Sequence, residues 1–200
     1  MKTPSKPFSR KGFTLIELLV VIAIIAVLAS AGFAVGPAMM NRAKKLSAQA
    51  TATNIANAVE QFYSEYSALP DPDTVSNIAE TQFATDASPL LDILVGGSET
   101  KSIEQNPRKI RFLSVKEAKN GMDGALYTGT AISKISKIDK ILDPWEQPFY
   151  IRLDYDYDEQ LNFTPQGSTK VTLNGRRVAV YSLGVKVPAD SNAKTLVKSW

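Results

Sequence analysis

The chain has 200 residues, enough for one ordinary domain plus an appended helix, and 44% of them are apolar, which suits a folded rather than a disordered chain. It contains no Cys and no His, which excludes disulfide frameworks, thiol chemistry, structural zinc sites and His-containing catalytic triads. The net charge of +3 arises from Lys2, Lys6, Arg10 and Lys11 in the first twelve residues; without them 19 basic residues face 20 acidic ones, and no basic footprint for nucleic acid remains.

Residues 1–12 form a short basic leader. From Leu18 to Met40 there is no charged residue. At about 1.5 Å per residue this run is about 35 Å long, sufficient for a bilayer core of about 30 Å. A run of that length, apolar on all sides, exceeds what so small a domain can wrap, so residues 13–40 are expected to hold a transmembrane helix, its N-terminus cytoplasmic. A secretory signal peptide also has a basic start and an apolar middle, but its cleavage site follows the apolar segment. Here the notable junction, Lys11-Gly12-Phe13, precedes it, and Glu17 stands at its threshold. Cutting after Gly12 would remove the charges and keep the anchor.

Beyond the membrane run, Ala48, Ala52, Ile55, Val59, Phe62 and Tyr66 recur in steps of four and three, one stripe of an amphipathic helix over 41–67 that ends before Leu69-Pro70. The stem is thus one long helix, with a kink or local melting expected at Gly36-Pro37 because proline lacks the N–H and crowds the preceding turn. Residues 70–107 read as linker with one short helix: Ser88 as N-cap, Pro89 in the first turn, Leu90 to Val95, then Gly96-Gly97 as the stop. Between 108 and 142 two signals stand: Ile110 to Val115 suits a strand, and apolar residues at 132, 135, 138, 141 and 142 have helical spacing. Phe149, Ile151 and Leu153 alternate with polar partners as a strand, and Val171 to Leu173, Asn174-Gly175 and Arg176 to Leu183 predict a β-hairpin. The expected architecture is α+β: a long N-terminal helix packed by its stripe on a small antiparallel sheet, with residues 68–200 as the globular head.

The run Gly12-Phe13-Thr14-Leu15-Ile16-Glu17-Leu18-Leu19-Val20-Val21-Ile22 closely resembles the cleavage and methylation signature of type IV prepilins and of the pseudopilins of type II secretion. The resemblance implies that a membrane-embedded prepilin peptidase cuts after Gly12 and methylates the amine of Phe13. Asp143-Pro144-Trp145-Glu146-Gln147-Pro148-Phe149-Tyr150, followed by Val180-Tyr181-Ser182-Leu183-Gly184 and the terminal Lys198-Ser199-Trp200, resembles the head of the major, G-type pseudopilin. In that family a D-P-W-G-x-P-[FY] turn leads into the sheet; Glu146 here replaces the Gly. Trp145 itself reads as a core anchor at a turn. The stretch from about 70 to 140 is unmatched.

Glu17 has two readings. With Thr14 it has the S/T-x-x-E spacing of a capping box. A local cap alone does not offset carrying a carboxylate into the membrane. The favoured reading is that Glu17 pairs with the Phe13 amine of a neighbouring subunit and sets the axial stagger of a filament. Family members bind one calcium ion in the loop after Tyr-Ser-x-Gly; here Val185-Lys186-Val187 stands where an acid is expected, leaving Asp190 as the one nearby carboxylate. No cofactor is therefore expected, Asp190 is the candidate ligand if calcium binds, and the head should respond little to chelation. Asp154-Tyr155-Asp156-Tyr157-Asp158 begins like an EF-hand loop, but Gln160 and Pro165 break the pattern, and it reads as alternation in an exposed strand or turn.

The resemblance implies a structural subunit of a type II secretion pseudopilus, not an enzyme, sitting as a single-pass inner-membrane protein with a periplasmic head until it polymerises. The implied partners are prepilin peptidase, further copies of the chain, minor pseudopilins, the inner-membrane assembly platform and the membrane itself, with no nucleic acid. The alternative within the family is a type IV pilin for adhesion, motility or DNA uptake. A rival from another class is a membrane-anchored periplasmic enzyme built on Asp154, Asp156 and Asp158.

Overall fold

The computed structural model describes residues 12–71, 80–85, 89–128, 137–166, 168–185 and 196–200; the side chains of residues 31–35, 37, 80–83 and 137 are not among those described. The chain divides into two compact units, Met1–Arg42 and Ala43–Trp200.

The first unit holds the N-terminal part of α1 (Leu15–Tyr66). Among its described residues the large apolar side chains face outward: Leu15 is 88% exposed, Ile16 70% and Leu28 68%. Among the described residues no helix is long and apolar enough to cross a membrane. The uncharged run Leu18 to Met40 seen in the sequence includes six positions, 31–35 and 37, whose side chains lie outside the described residues. Local melting at Gly36-Pro37 is not found, since α1 is helical from Leu15 to Tyr66 without a break. A proline removes a single donor, and the turns on either side retain their own hydrogen bonds and keep the helix continuous.

In the second unit the expected stripe is the buried one. Ala48, Ala52, Ile55 and Val59 are at most 1% exposed and Phe62 is 2% exposed. The helix ends at Ser67, whose φ of 54° places it in the left-handed region and whose N–H donates to the Tyr63 carbonyl at 2.7 Å, an αL cap. The short helix α2 (Pro89–Val95) stops as its glycines predict. Gly96 has φ +70°, the Gly97 N–H donates to Asp92 O at 2.8 Å and the Gly96 N–H to Ile93 O at 3.2 Å, which is a Schellman motif. Ser88, its expected N-cap, lies outside the described residues.

The linker expected over 70–107 also contains β1 (Glu80–Ala84) and α3 (Thr100–Gln105). The stretch Ile110 to Val115 forms no strand; Phe112 and Leu113 both donate to the Leu94 carbonyl, so this segment hangs on the end of α2. Further on come β2 (Gly124–Thr128), β3 (Lys137–Leu142), β4 (Phe149–Asp154), β5 (Gln160–Phe163), β6 (Val171–Asn174), β7 (Val178–Ser182) and β8 (Val197–Lys198).

Two sequence expectations are corrected here. The helical spacing at 138 and 141 belongs to a strand: β2 and β3 pair antiparallel with a register shift, Leu126 opposite Lys140 and Tyr127 opposite Ile138. The extra residue, Asp139, is a bulge that resets the alternation, so Ile138 and Ile141 both reach the core three residues apart. The hairpin expected at Asn174-Gly175 does turn, with Gly175 at φ +67°, but the strands it joins do not pair with each other. β6 pairs with β5, and β7 pairs with β4 and β8. All five residues of β7 are buried, which makes it an inner strand covered on both faces rather than one arm of an exposed hairpin.

The main sheet is antiparallel with order β1-β4-β7-β8. One face, with Phe149, Ile151, Leu153 and Val180, joins the α1 stripe and α2 in the principal core. The other face, with Ala179 and Tyr181, is covered by Leu161 and Phe163 of the β5-β6 pair and by Trp200. The fold is α+β with three layers: helix, sheet and a covering β-ribbon.

Candidate functional site

The predicted processing junction lies outside the helix. Gly12, Phe13 and Thr14 are non-helical and exposed, Phe13 at 84%. A Cβ built on Gly12 meets nothing within 4 Å, so the chain's own packing does not require a glycine there. Thr14 and Glu17 form the reciprocal capping box that their spacing predicts. The Thr14 N–H donates to Glu17 Oε2 at 2.8 Å, the Thr14 hydroxyl to the same oxygen at 2.7 Å, and the Glu17 N–H to Thr14 Oγ1 at 3.3 Å. In the single chain the carboxylate is therefore engaged locally and stands beside exposed apolar surface.

The head motifs, 39 residues apart at their polar ends, meet in one buried node. Asp143 is fully buried and its Oδ1 accepts the N–H groups of Trp145 and Gln147, each at 2.8 Å, while its Oδ2 accepts the hydroxyl of buried Ser182. Ser182 in turn accepts the Gly184 N–H at 3.1 Å. Burial raises the Asp143 pKa above its ordinary 3.8, with the hydrogen bonds from Ser182, Gln147 and Trp145 opposing the shift. Pro144 is buried beside it, Pro148 is half-buried and Trp145 packs against the principal core, as a core anchor does. Glu146 has φ +63°, the left-handed conformation for which glycine is suited, which accounts physically for a Gly at this place in the resembling turn.

Asp154, Asp156 and Asp158 are not arranged as exposed alternation. β4 extends through Asp154, which pairs with Glu80 on β1, so its side chain is held at the sheet and is fully buried. Beyond it Tyr157 (φ 57°) and Glu159 (φ 59°) curl the loop back, and the three carboxylates converge, one oxygen from each lying within 4.8 Å of the others. Asp190, the candidate calcium ligand, lies outside the described residues, as do Lys186 and Val187; Val185 is exposed.

Two polar residues of the middle segment were not singled out in the sequence and organise the head. Thr85 accepts the Phe149 N–H at 2.8 Å and donates to Ile141 O at 2.7 Å, joining β3 to β4. Asn106 donates to Ile93 O and Ile110 O and accepts from Tyr66 Oη and the Ile110 N–H, so its buried amide is fully used. Neither has a local sequence signal, because all but one of their partners lie on other elements.

Among known protein families, the prokaryotic N-terminal methylation motif matches residues 7–33. No curated protein and no solved structure matches the chain. The motif supports a type IV prepilin-like family for this chain and indicates processing by prepilin peptidase and filament assembly in general.

Proposed function

We propose that this chain is a structural subunit of a type II secretion pseudopilus, inserted as a single-pass inner-membrane protein, cut after Gly12, methylated at Phe13 and assembled through its N-terminal helix. The observation that carries this reading is the exposed apolar segment from Phe13 to Leu28, interrupted by the single acid Glu17, directly following a methylation-type junction. Such a surface in one chain needs lipid first and neighbouring helices afterwards. In the pseudopilus the head would face the periplasm, and minor pseudopilins and the inner-membrane assembly platform would be its further partners. The choice of pseudopilus over pilus rests on the Asp143 to Pro148 turn and its hydrogen-bonded partner Ser182.

The test has two parts. Intact-mass analysis of the membrane-extracted protein should show a chain beginning at methylated Phe13; retention of Met1, or a cut after Ala31, overturns the processing step. Deletion of the gene should abolish export of secreted enzymes while leaving surface motility, adhesion and DNA uptake intact. The opposite phenotype would assign the chain to a type IV pilus instead.

A further inference from the structure

The loop between β4 and β5 carries a feature that filament assembly does not use. Asp154 is 0% exposed and its Oδ1 is buried without a hydrogen-bond partner, while its Oδ2 accepts the Glu159 N–H at 3.0 Å. Asp156 and Asp158, both exposed, bring their carboxylates to it, with one oxygen from each of the three within 4.8 Å of the others. Among the described residues no lysine or arginine forms an ion pair with any of the three; the nearby Arg177 is taken by Glu159 at 3.0 Å. Three like charges thus converge on one buried, unpartnered oxygen. That arrangement is one a cation would stabilise.

We infer that Asp154, Asp156 and Asp158 form a calcium site. The donors are all carboxylate oxygens, and the chain has no Cys or His, which selects a hard cation over zinc or copper. The donor set favours calcium over magnesium, because two of its three carboxylates are exposed and adaptable whereas magnesium demands near-ideal octahedral geometry and dehydrates reluctantly. Two oxygens bound at about 2.3–2.6 Å from one ion can stand up to about 4.6–5.2 Å apart, whereas magnesium at about 2.0–2.1 Å limits them to roughly 4.2 Å. All three oxygens lie within 4.8 Å of one another, inside the span that one calcium ion bridges. The i, i+2, i+4 spacing is that of the first three ligands of an EF-hand loop, while the closing Glu is absent. Loop carbonyls and water would complete the coordination. Burial, and then the Asp156 carboxylate, push the Asp154 pKa up to about 6, as expected of an acid facing its own kind without a counter-charge.

The ion would fasten the loop to the end of the stem helix. Tyr155 Oη donates to Pro70 O at 2.7 Å, and the Leu69 N–H donates to Tyr157 Oη at 3.2 Å, so the residues between the aspartates hold the chain just after α1. Calcium there would stiffen the join between helix and sheet. This reverses the chelation-insensitivity expected from Val185 to Val187, and it stands whether or not the chain polymerises.

The experiment uses the full-length protein in detergent. Thermal melts followed by Trp145 and Trp200 fluorescence, in EDTA, in calcium and in magnesium, measure stabilisation. Terbium luminescence sensitised by Tyr155 and Tyr157 measures site occupancy. Calcium at about a hundredfold excess over its Kd is expected to raise the Tm by roughly 5–10 °C, magnesium by much less, and calcium should quench the terbium signal. The double substitution Asp156→Asn with Asp158→Asn should lose both responses yet melt in EDTA no lower than the wild type, because it removes repulsion without touching the core. Asp190→Ala should keep both responses. Absence of a calcium shift and of terbium luminescence in the wild type, persistence of both in the double variant, or their loss in Asp190→Ala would each overturn the assignment.

Discussion

Asp143 shows how one side chain joins two distant sequence motifs, and its isostere tests the node. An asparagine can still accept the Trp145 and Gln147 N–H groups through its Oδ1, but its amide nitrogen cannot accept the Ser182 hydroxyl proton and can only donate to that oxygen, so Asp143→Asn should lower head stability by about 1 kcal/mol, less than the alanine variant. Asp143→Ala leaves two backbone donors and a buried hydroxyl without a partner, at about 1–3 kcal/mol each, and should lower stability by roughly 3 kcal/mol or more in urea melts. The variants also differ with pH. Because burial raises the folded-state pKa above 3.8, the native head holds this proton more tightly than the unfolded chain. The contribution is therefore complete below 3.8 and is lost as pH rises through the raised value; Asn, which does not titrate, should lack this component. At the neighbouring Glu146, with φ +63° and its side chain exposed, glycine relieves backbone strain but costs entropy in the unfolded chain. Glu146→Gly should come out about 0.5–1 kcal/mol more stable, and a lower Tm would show that the Glu side chain makes a contribution larger than the strain.

At the scale of elements, the layer formed by β5 and β6 is what the sequence conceals. The α1 stripe, the glycine stop of α2 and the alternation of β4 are legible because each is written in residues close together in the chain, and period alone places them. The partner of β6 is not, since Asn174-Gly175 specifies a reversal and not which strand lies alongside. Only the burial of both faces of β7 decides that. The bulge at Asp139 misleads for a related reason, because it imposes helix-like spacing on a strand through pairing with β2. The Asp143 to Pro148 turn was legible as a motif, whereas its link to Ser182 and the convergence of Asp154 with Asp156 and Asp158 depend on the folded chain. Phe163 tests the covering layer: it is 4% exposed and stacks on Tyr181 with centroids 5.5 Å apart. Phe163→Ala should cost about 3–4 kcal/mol. It should do so while leaving the helix-facing core of Ile55, Phe62 and Ile151 packed. Hydrogen exchange that speeds up in β5 and β6 but stays slow in α1 residues 48–62 is the expected pattern, and uniform loss of protection would mean that the ribbon and the main core are one cooperative layer.

On the scale of the whole molecule, the chain has a head that satisfies its own core and an N-terminal segment that does not. Leu15, Ile16, Leu18, Leu19 and Ile22 are each more than half exposed in the single chain, with Glu17 among them. Lipid can cover the apolar side chains, but the carboxylate then needs more than Thr14, because a capping box leaves its negative charge uncompensated. Under the proposed assembly, the Phe13 amine of an adjacent subunit, cationic with or without methylation, is the group that would neutralise it as helices leave the bilayer for a filament. Glu17→Gln separates the two roles. The amide oxygen still accepts the Thr14 N–H and hydroxyl, so the cap, membrane insertion and cleavage after Gly12 should be unaffected. The charge is gone, however, and an amine buried among apolar helices without its counter-ion is strongly unfavourable. Filament yield after shearing, measured in cells overproducing the proposed secretion system, should therefore fall by roughly tenfold or more while the processed protein stays at wild-type level in the membrane fraction. Wild-type filament yield from Glu17→Gln would leave the capping box as the sole role of this residue, and the axial stagger would then have to be set by apolar packing alone.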